Sequence, residues 1–314
     1  LGQIFTDPRL RQLFGRYSTY TGSSPFEAPA TLALIAHAER VGVWLVEGGM
    51  VQLPIAIGKA AATLGASIRY ETHVDVVQRS GRRFALELST GNAVEADAIV
   101  FNGDVNAMAS GLLGDALRGA LPDRRSESRS LSALTWSLCT SDVDFQLEHH
   151  TVFFGGDYPA EFRALKNGVI ADEPTVYVCA QDRHNGARPA AGQSERLFLL
   201  INAPPTRLRN EQLENAQSSA MASLRRQGFG VALDDDSVER RTPDDFGRLF
   251  PGSEGAIYGW PTHGWSGSFR RAGAETTVPG LFCAGGTVHP GPGIPMAAQS
   301  GRIAAAKVRD YLSR

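Results

Sequence analysis

The stretch best equipped for chemistry is Val278 to Met296, Val-Pro-Gly-Leu-Phe-Cys-Ala-Gly-Gly-Thr-Val-His-Pro-Gly-Pro-Gly-Ile-Pro-Met. Its apolar start reads as a strand that runs into closely spaced glycines, and a helix of small residues follows from Ala297 to Ala306. Glycine lets backbone approach a bound group closely, and a helix amino terminus offers unpaired N–H donors with roughly half a positive charge. Small residues along that helix let a flat ring or a strand lie against it with no side chain between. A phosphate fits this chemistry, as does a flavin ring that gains negative charge on reduction; a plain strand-loop-helix crossover of an α/β sheet fits the glycine content equally well. Such a helix end contributes about 0.3 to 1 kcal/mol when exposed and up to about 2 when partly buried, enough to tune a flavin but not to hold one.

Other residues able to do chemistry have ordinary explanations. His149-His150 raises the question of a metal, but no Cys, Asp or His recurs at ligand spacing, so a surface loop and no metal are expected. Glu47 and Asp104 each stand beside a glycine at an element boundary, where a helix cap or a ribose contact is commoner than a general base. Trp44, Trp136, Trp260 and Trp265, with Phe153 and Phe154, are read as core before tunnel lining. Cys139, Cys179 and Cys283 lie far apart among apolar neighbours, which predicts buried reduced thiols and a reducing cytosol.

The elements that must position the glycine-rich loop follow from periodicity. Val51 to Leu64 predicts a helix with Pro54 in its first turn and Gly65 at its end. Ser67 to Val77 and Phe84 to Leu88 predict a hairpin, and Gly91-Asn92 a second turn. Val94 to Asn102 ends in a buried-strand run, with Asp104 capping a helix over Val105 to Leu113. Leu131 to Cys139, Thr151 to Phe154, Thr175 to Ala180 and Leu197 to Asn202 predict an antiparallel sheet, and a helix over Glu211 to Gln227, with Leu213, Ala216, Ala220 and Leu224 on one face, packs on it. Polar residues 122–129 and glycine-rich residues 252–267 mark lobe boundaries, so the chain leaves one lobe, builds a second and returns.

Bulk properties bound the function classes. A chain of 314 residues, 42% hydrophobic and 20% charged, has room for two lobes with a large core. A net charge of -2 gives no drive toward nucleic acid, which is excluded as an expected partner. No apolar stretch approaches the roughly 20 residues that span a bilayer, so a protein in solution or on a membrane surface is expected. Leu1 to Arg16 is neither a signal sequence nor a domain start, and the chain is expected to be the carboxy-terminal two-thirds or so of a longer protein.

Ala284-Gly285-Gly286-Thr287-Val288-His289-Pro290-Gly291-Pro292-Gly293-Ile294-Pro295-Met296-Ala297-Ala298 closely resembles the carboxy-terminal FAD signature of bacterial carotenoid desaturases, the phytoene desaturase family. Tyr17 to Ala30 and Gly42 to Met50 resemble two further blocks of that family, so the similarity spans nearly the whole chain. Met296-Ala297-Ala298 and His149-His150-Thr151-Val152-Phe153-Phe154 are most similar to the methoxyneurosporene dehydrogenase or 1-hydroxycarotenoid 3,4-desaturase branch. The resemblance implies a mixed α/β, α+β fold of the FAD/NAD(P)-binding, glutathione-reductase-like or amine-oxidase-like type, with an antiparallel-sheet substrate domain. It implies a helical substrate segment at 1–50, flavin-binding parts at 51–122 and 266–314, and a substrate-binding domain at 123–265. The family's opening strand and Gly-x-Gly-x-x-Gly do not occur here, so the first βαβ segment and its pyrophosphate cradle are expected to be missing.

By the same resemblance Gly285, Gly286, His289, Gly291, Gly293, Ile294, Pro295, Met296 and Ala297 lie beside the flavin, the backbone of Val74 meets the adenine, and Asn102 and Asp104 lie near a strand end under the cofactor. The implied activity is desaturation of an acyclic, hydroxylated carotenoid by hydride transfer to FAD, with the enzyme cytoplasmic and peripherally attached to the inner membrane. His289 is the weak candidate for the proton-abstracting base and equally a loop-shaping residue; no base is assigned. A redox-neutral carotenoid isomerase, another flavoprotein oxidase of the amine or protoporphyrinogen type, and a non-catalytic carotenoid-binding remnant are the alternatives. Apolar surface cannot select among carotenoids already dissolved in lipid, so discrimination calls for a polar group deep in the substrate tunnel.

Overall fold

The computed structural model describes residues 1–122, 128–141, 143–184, 187–190, 192–233 and 238–314. The polar boundary expected at 122–129 falls largely outside them. Helix α1 (Pro8–Gly15) starts on Asp7, whose carboxylate accepts the Arg9 N–H, and runs into a 3-10 segment, Arg16–Thr21. Helices α2 (Leu34–Val41) and α3 (Gln52–Thr63) follow, α3 ending before Gly65 in the left-handed region as its sequence requires. Neither α2 nor α3 buries a residue, and Trp44 between them is 79% exposed. Trp265 is exposed too, so core packing holds for Trp136, Trp260 and Phe153 but not for these two tryptophans.

Strands β1 (Val74–Ser80), β2 (Arg83–Leu88) and β3 (Ala93–Ala96) form an antiparallel meander. The first strand begins at Val74 rather than Ser67, because β2 is only six residues long and its pairing with β1 ends where Leu88 meets Val74. The expected single run from Val94 to Asn102 is two strands: β3 pairs β2, whereas β4 (Ile99–Phe101) belongs to a different sheet. The helix expected over Val105 to Leu113 is only α4 (Asn106–Ala109), since Gly111 takes φ +78° and the Leu113 carbonyl accepts the Val77 N–H instead of a helical donor.

The second sheet is antiparallel in the order β6-β7-β8-β5-β9, with β5 Ser132–Thr140, β6 His150–Phe153, β7 Val176–Ala180, β8 Glu195–Ala203 and β9 Glu239–Arg241. Four of these strands match the sequence reading. The fifth, Glu-Arg-Arg, is an exposed edge with no apolar alternation to announce it. Helix α5 (Tyr158–Lys166) lies between β6 and β7, and α6 (Asn210–Arg226) buries Leu213, Ala216, Ala220 and Leu224 with Trp136, Val178 and Leu199 of the sheet. Helix α7 (Pro243–Leu249) opens on a reciprocal Thr242–Asp245 capping box. Cys139 is exposed on β5, against the expectation of three buried thiols; Cys283 is buried, which pushes its thiol up to about 12.

The chain then returns to its first part. Strand β10 (Leu281–Cys283) pairs in parallel with β4, Leu281 opposite Ile99 and Cys283 opposite Phe101, and α8 (Ile294–Leu312) follows. Leu281, Cys283 and Val288 share a core with Val77, Phe84, Met108 and Trp260. Among the described residues no helix is long and apolar enough to cross a membrane.

Candidate functional site

Two parallel strands fix the glycine-rich loop. Both β4 and β10 end at the same edge, so Asn102-Gly103-Asp104 and Ala284-Gly285-Gly286 emerge side by side, where parallel strands of α/β folds present ligand crevices. The Ala284 N–H donates to the Phe101 carbonyl at 3.0 Å. Gly285 adopts φ +113°, and a Cβ there would collide with Asn102 Oδ1. Its N–H donates to the buried Ser300 hydroxyl at 2.8 Å, and that hydroxyl donates to the Ala297 carbonyl at 2.7 Å, so one side chain of α8 ties the loop to the helix it opens.

At the mouth, Gly293 caps α8 with φ +101°, nothing stands within 4 Å of where its side chain would project, and its carbonyl accepts the Ala297 N–H at 2.8 Å. The first-turn N–H groups point outward as at any helix start. Ile294 and Met296 are 52% and 42% exposed beside them. A flat, electron-rich ring fits this end: apolar side chains to cover its face, open space over glycine, and donors for its polar edge.

The remaining predicted positions divide. Asn102 is exposed at the mouth beside Gly285. Val74 packs against the core that holds β4 and β10. Asp104 is buried, with its carboxylate accepting the Asn106 N–H at 2.8 Å and Arg129 Nη2 at 3.3 Å; burial pushes its pKa above the usual carboxylate range while Arg129 opposes that. Its acceptor capacity therefore goes to a turn and a buried ion pair. Gly291 is buried against Arg271, His289 is exposed with its N–H donating to the Ala272 carbonyl at 2.8 Å, and Glu47 is exposed between α2 and α3.

Two arrangements were not legible from spacing. Strand pairing sets Cys179 opposite His150, so ligand atoms of His149, His150 and Cys179 lie within 4.8 Å of one another, correcting the reading that no partner accompanies the histidines. His149 Nδ1 is bonded to the Arg183 carbonyl and His150 Nδ1 to the Tyr177 hydroxyl, each at 2.8 Å, and His150 starts a strand instead of lying in a loop. The second is a cavity of about 650 Å³ between Arg16–Thr21 and the five-stranded sheet, walled by Arg16, Tyr20, Ala133, Tyr177, Leu200 and Tyr258. The Tyr258 carbonyl accepts Arg271 Nη1 at 2.8 Å, and the same nitrogen reaches the Gly286 carbonyl at 3.4 Å, so one guanidinium joins the cavity wall to the glycine-rich loop.

Residues 2–309 match the family described as flavin containing amine oxidoreductase. The hydroxyneurosporene desaturase of Rubrivivax gelatinosus is 43% identical over 318 residues, covering 99% of this chain and 60% of its own length. That of Cereibacter sphaeroides is 43% identical over 316 residues, covering 99% and 63%. Among solved structures, cyclohexylamine oxidase from Brevibacterium oxydans IH-35A superposes with a TM-score of 0.55 at 16% identity, over 99% of this chain and 66% of that one, a likeness of fold. The chain thus spans about three-fifths of the length of the curated relatives it matches.

Proposed function

Because the chain belongs to the flavin containing amine oxidoreductase family, and within it to the bacterial carotenoid desaturases, we propose that it desaturates an acyclic, hydroxylated carotenoid with FAD as the hydride acceptor. The observation that carries this reading is the loop from Gly285 to Met296, which offers bare backbone, a helix amino terminus and two exposed apolar side chains at the ends of parallel strands.

When bound there, the flavin supplies the two-electron acceptor that no side chain supplies, since the carbons of a polyene chain are not acidic. Gly285, Gly286, Gly291 and Gly293 let the backbone approach the ring, Ile294, Pro295, Met296 and Ala297 cover it at the helix start, and His289, Asn102 and Val74 lie along its binding path. The chain's own contribution is positioning: a fixed loop on one side, a sheet-walled cavity on the other, and a strut through Arg271 that holds the two in register. No general base is assigned, and Asp104 serves the cofactor through the strand end it braces. Residues 51–122 and 266–314 form the flavin-binding part, with 1–50 and 123–265 as the substrate part. A water-insoluble substrate calls for peripheral attachment to a lipid surface on the cytoplasmic side.

Anaerobic mixing of the flavin-loaded protein with a hydroxylated acyclic carotenoid tests the reading. Bleaching of the flavin absorbance together with a red shift of the polyene bands is expected. A polyene shift with the flavin left oxidised indicates isomerisation and overturns it, as does no change in either.

A further inference from the structure

We propose that the cavity between Arg16–Thr21 and the five-stranded sheet is the subsite for the oxygen-bearing end of the substrate, and that Arg16 reads that oxygen; this rests on the desaturase reading above. Arg16 is only 9% exposed, yet its guanidinium has no hydrogen bond or ion pair among the described residues and lines the cavity. What holds it is the face of Tyr177, with the guanidinium carbon 5.5 Å from the ring centre. A guanidinium is always charged and only donates, so unpaired N–H groups at the cavity wall call for an acceptor oxygen.

The surrounding groups narrow the ligand to a neutral one. Glu39 stands on the same cavity, where its carboxylate accepts the Tyr17 hydroxyl, and a ligand carboxylate or phosphate would meet its negative charge. Asn202, also on the cavity wall, donates through Nδ2 to the buried Glu161 Oε1 at 3.2 Å, which leaves its Oδ1 as an acceptor. An alcohol satisfies both partners, accepting from Arg16 and donating to Asn202. Ala133, Leu200 and Ile257 supply the apolar wall for the chain behind it. Since the cavity shares the Tyr258–Arg271–Gly286 strut with the glycine-rich loop, a bound hydroxyl fixes which carbons of the chain lie against that loop.

The flavin-loaded protein is assayed with two acyclic carotenoids of equal chain length and unsaturation, one hydroxylated at an end and one not, and their binding is read separately by quenching of protein fluorescence. The wild-type protein favours the hydroxylated carotenoid in both readouts. In Arg16→Met that advantage, as a ratio of kcat/KM values and of dissociation constants, falls on the order of 10- to 100-fold, the loss of a hydrogen bond to a charged group. Arg16→Lys keeps charge and much of the volume but loses the fork, so it lowers the ratio less and decides the matter should Arg16→Met not fold. A ratio unchanged in these variants, or a parallel loss of both carotenoids, overturns the subsite. If the wild-type protein turns over neither carotenoid the desaturase reading fails, and the binding ratio still decides the role of Arg16.

Discussion

Ser300 is buried in α8 with its hydroxyl accepting the Gly285 N–H and donating to the Ala297 carbonyl. Ser300→Ala strands the Gly285 N–H, and leaving a partly buried donor unsatisfied costs about 1 to 3 kcal/mol. Thermal unfolding of that variant is expected to show a lowered midpoint together with weaker flavin retention; a midpoint and flavin content equal to wild type would contradict the tie between loop and helix. At this scale the glycines were legible, because a run such as Gly-Pro-Gly has few uses other than tight backbone. Arg16 was not, since an arginine between Gly15 and Tyr17 reads as solvated until a sheet and a 3-10 turn close over it. The same holds for Cys179, whose neighbours are His150 on the adjoining strand and His149 just before it.

The first fifty residues attach to the end of the 123–265 part through His263, whose Nε2 accepts the Ser24 N–H at 3.2 Å while Nδ1 faces Glu27 Oε2 at 3.7 Å. Burial holds its pKa below the ordinary 6.5, with Lys166 and Arg270 acting the same way and Glu27 opposing. The folded state therefore binds a proton more weakly than the unfolded one, and protonation at Nε2 removes the acceptor for Ser24. The contribution is present above pH 6.5 and is lost as pH falls below it. Unfolding midpoints at pH 7.5 and 5.5 should separate in the wild-type protein and converge in His263→Gln; equal pH slopes for both would contradict the assignment. Elements with a strong period were legible, as in α6 and the four apolar strands, whose buried faces match their spacing. Edges and short pieces were not: β9 is all charged, and α4 stops where Gly111 turns left-handed.

Across the whole molecule the decisive feature is the return of the chain, which sets β10 against β4 after the five-stranded sheet has been built. Two strands of three residues each carry too little pattern to predict that pairing, although the polar and glycine-rich boundaries at 122–129 and 252–267 pointed to a return of the chain. The pairing puts backbone from residues 102–104 and 284–286 at one edge, with the sheet cavity joined to it through Arg271. The most direct test of the account is a crystal structure of the flavin-loaded protein. It should show the isoalloxazine in van der Waals contact with residues 285–296 and its polar edge at the first turn of α8; that loop turned away from the ring would contradict the account.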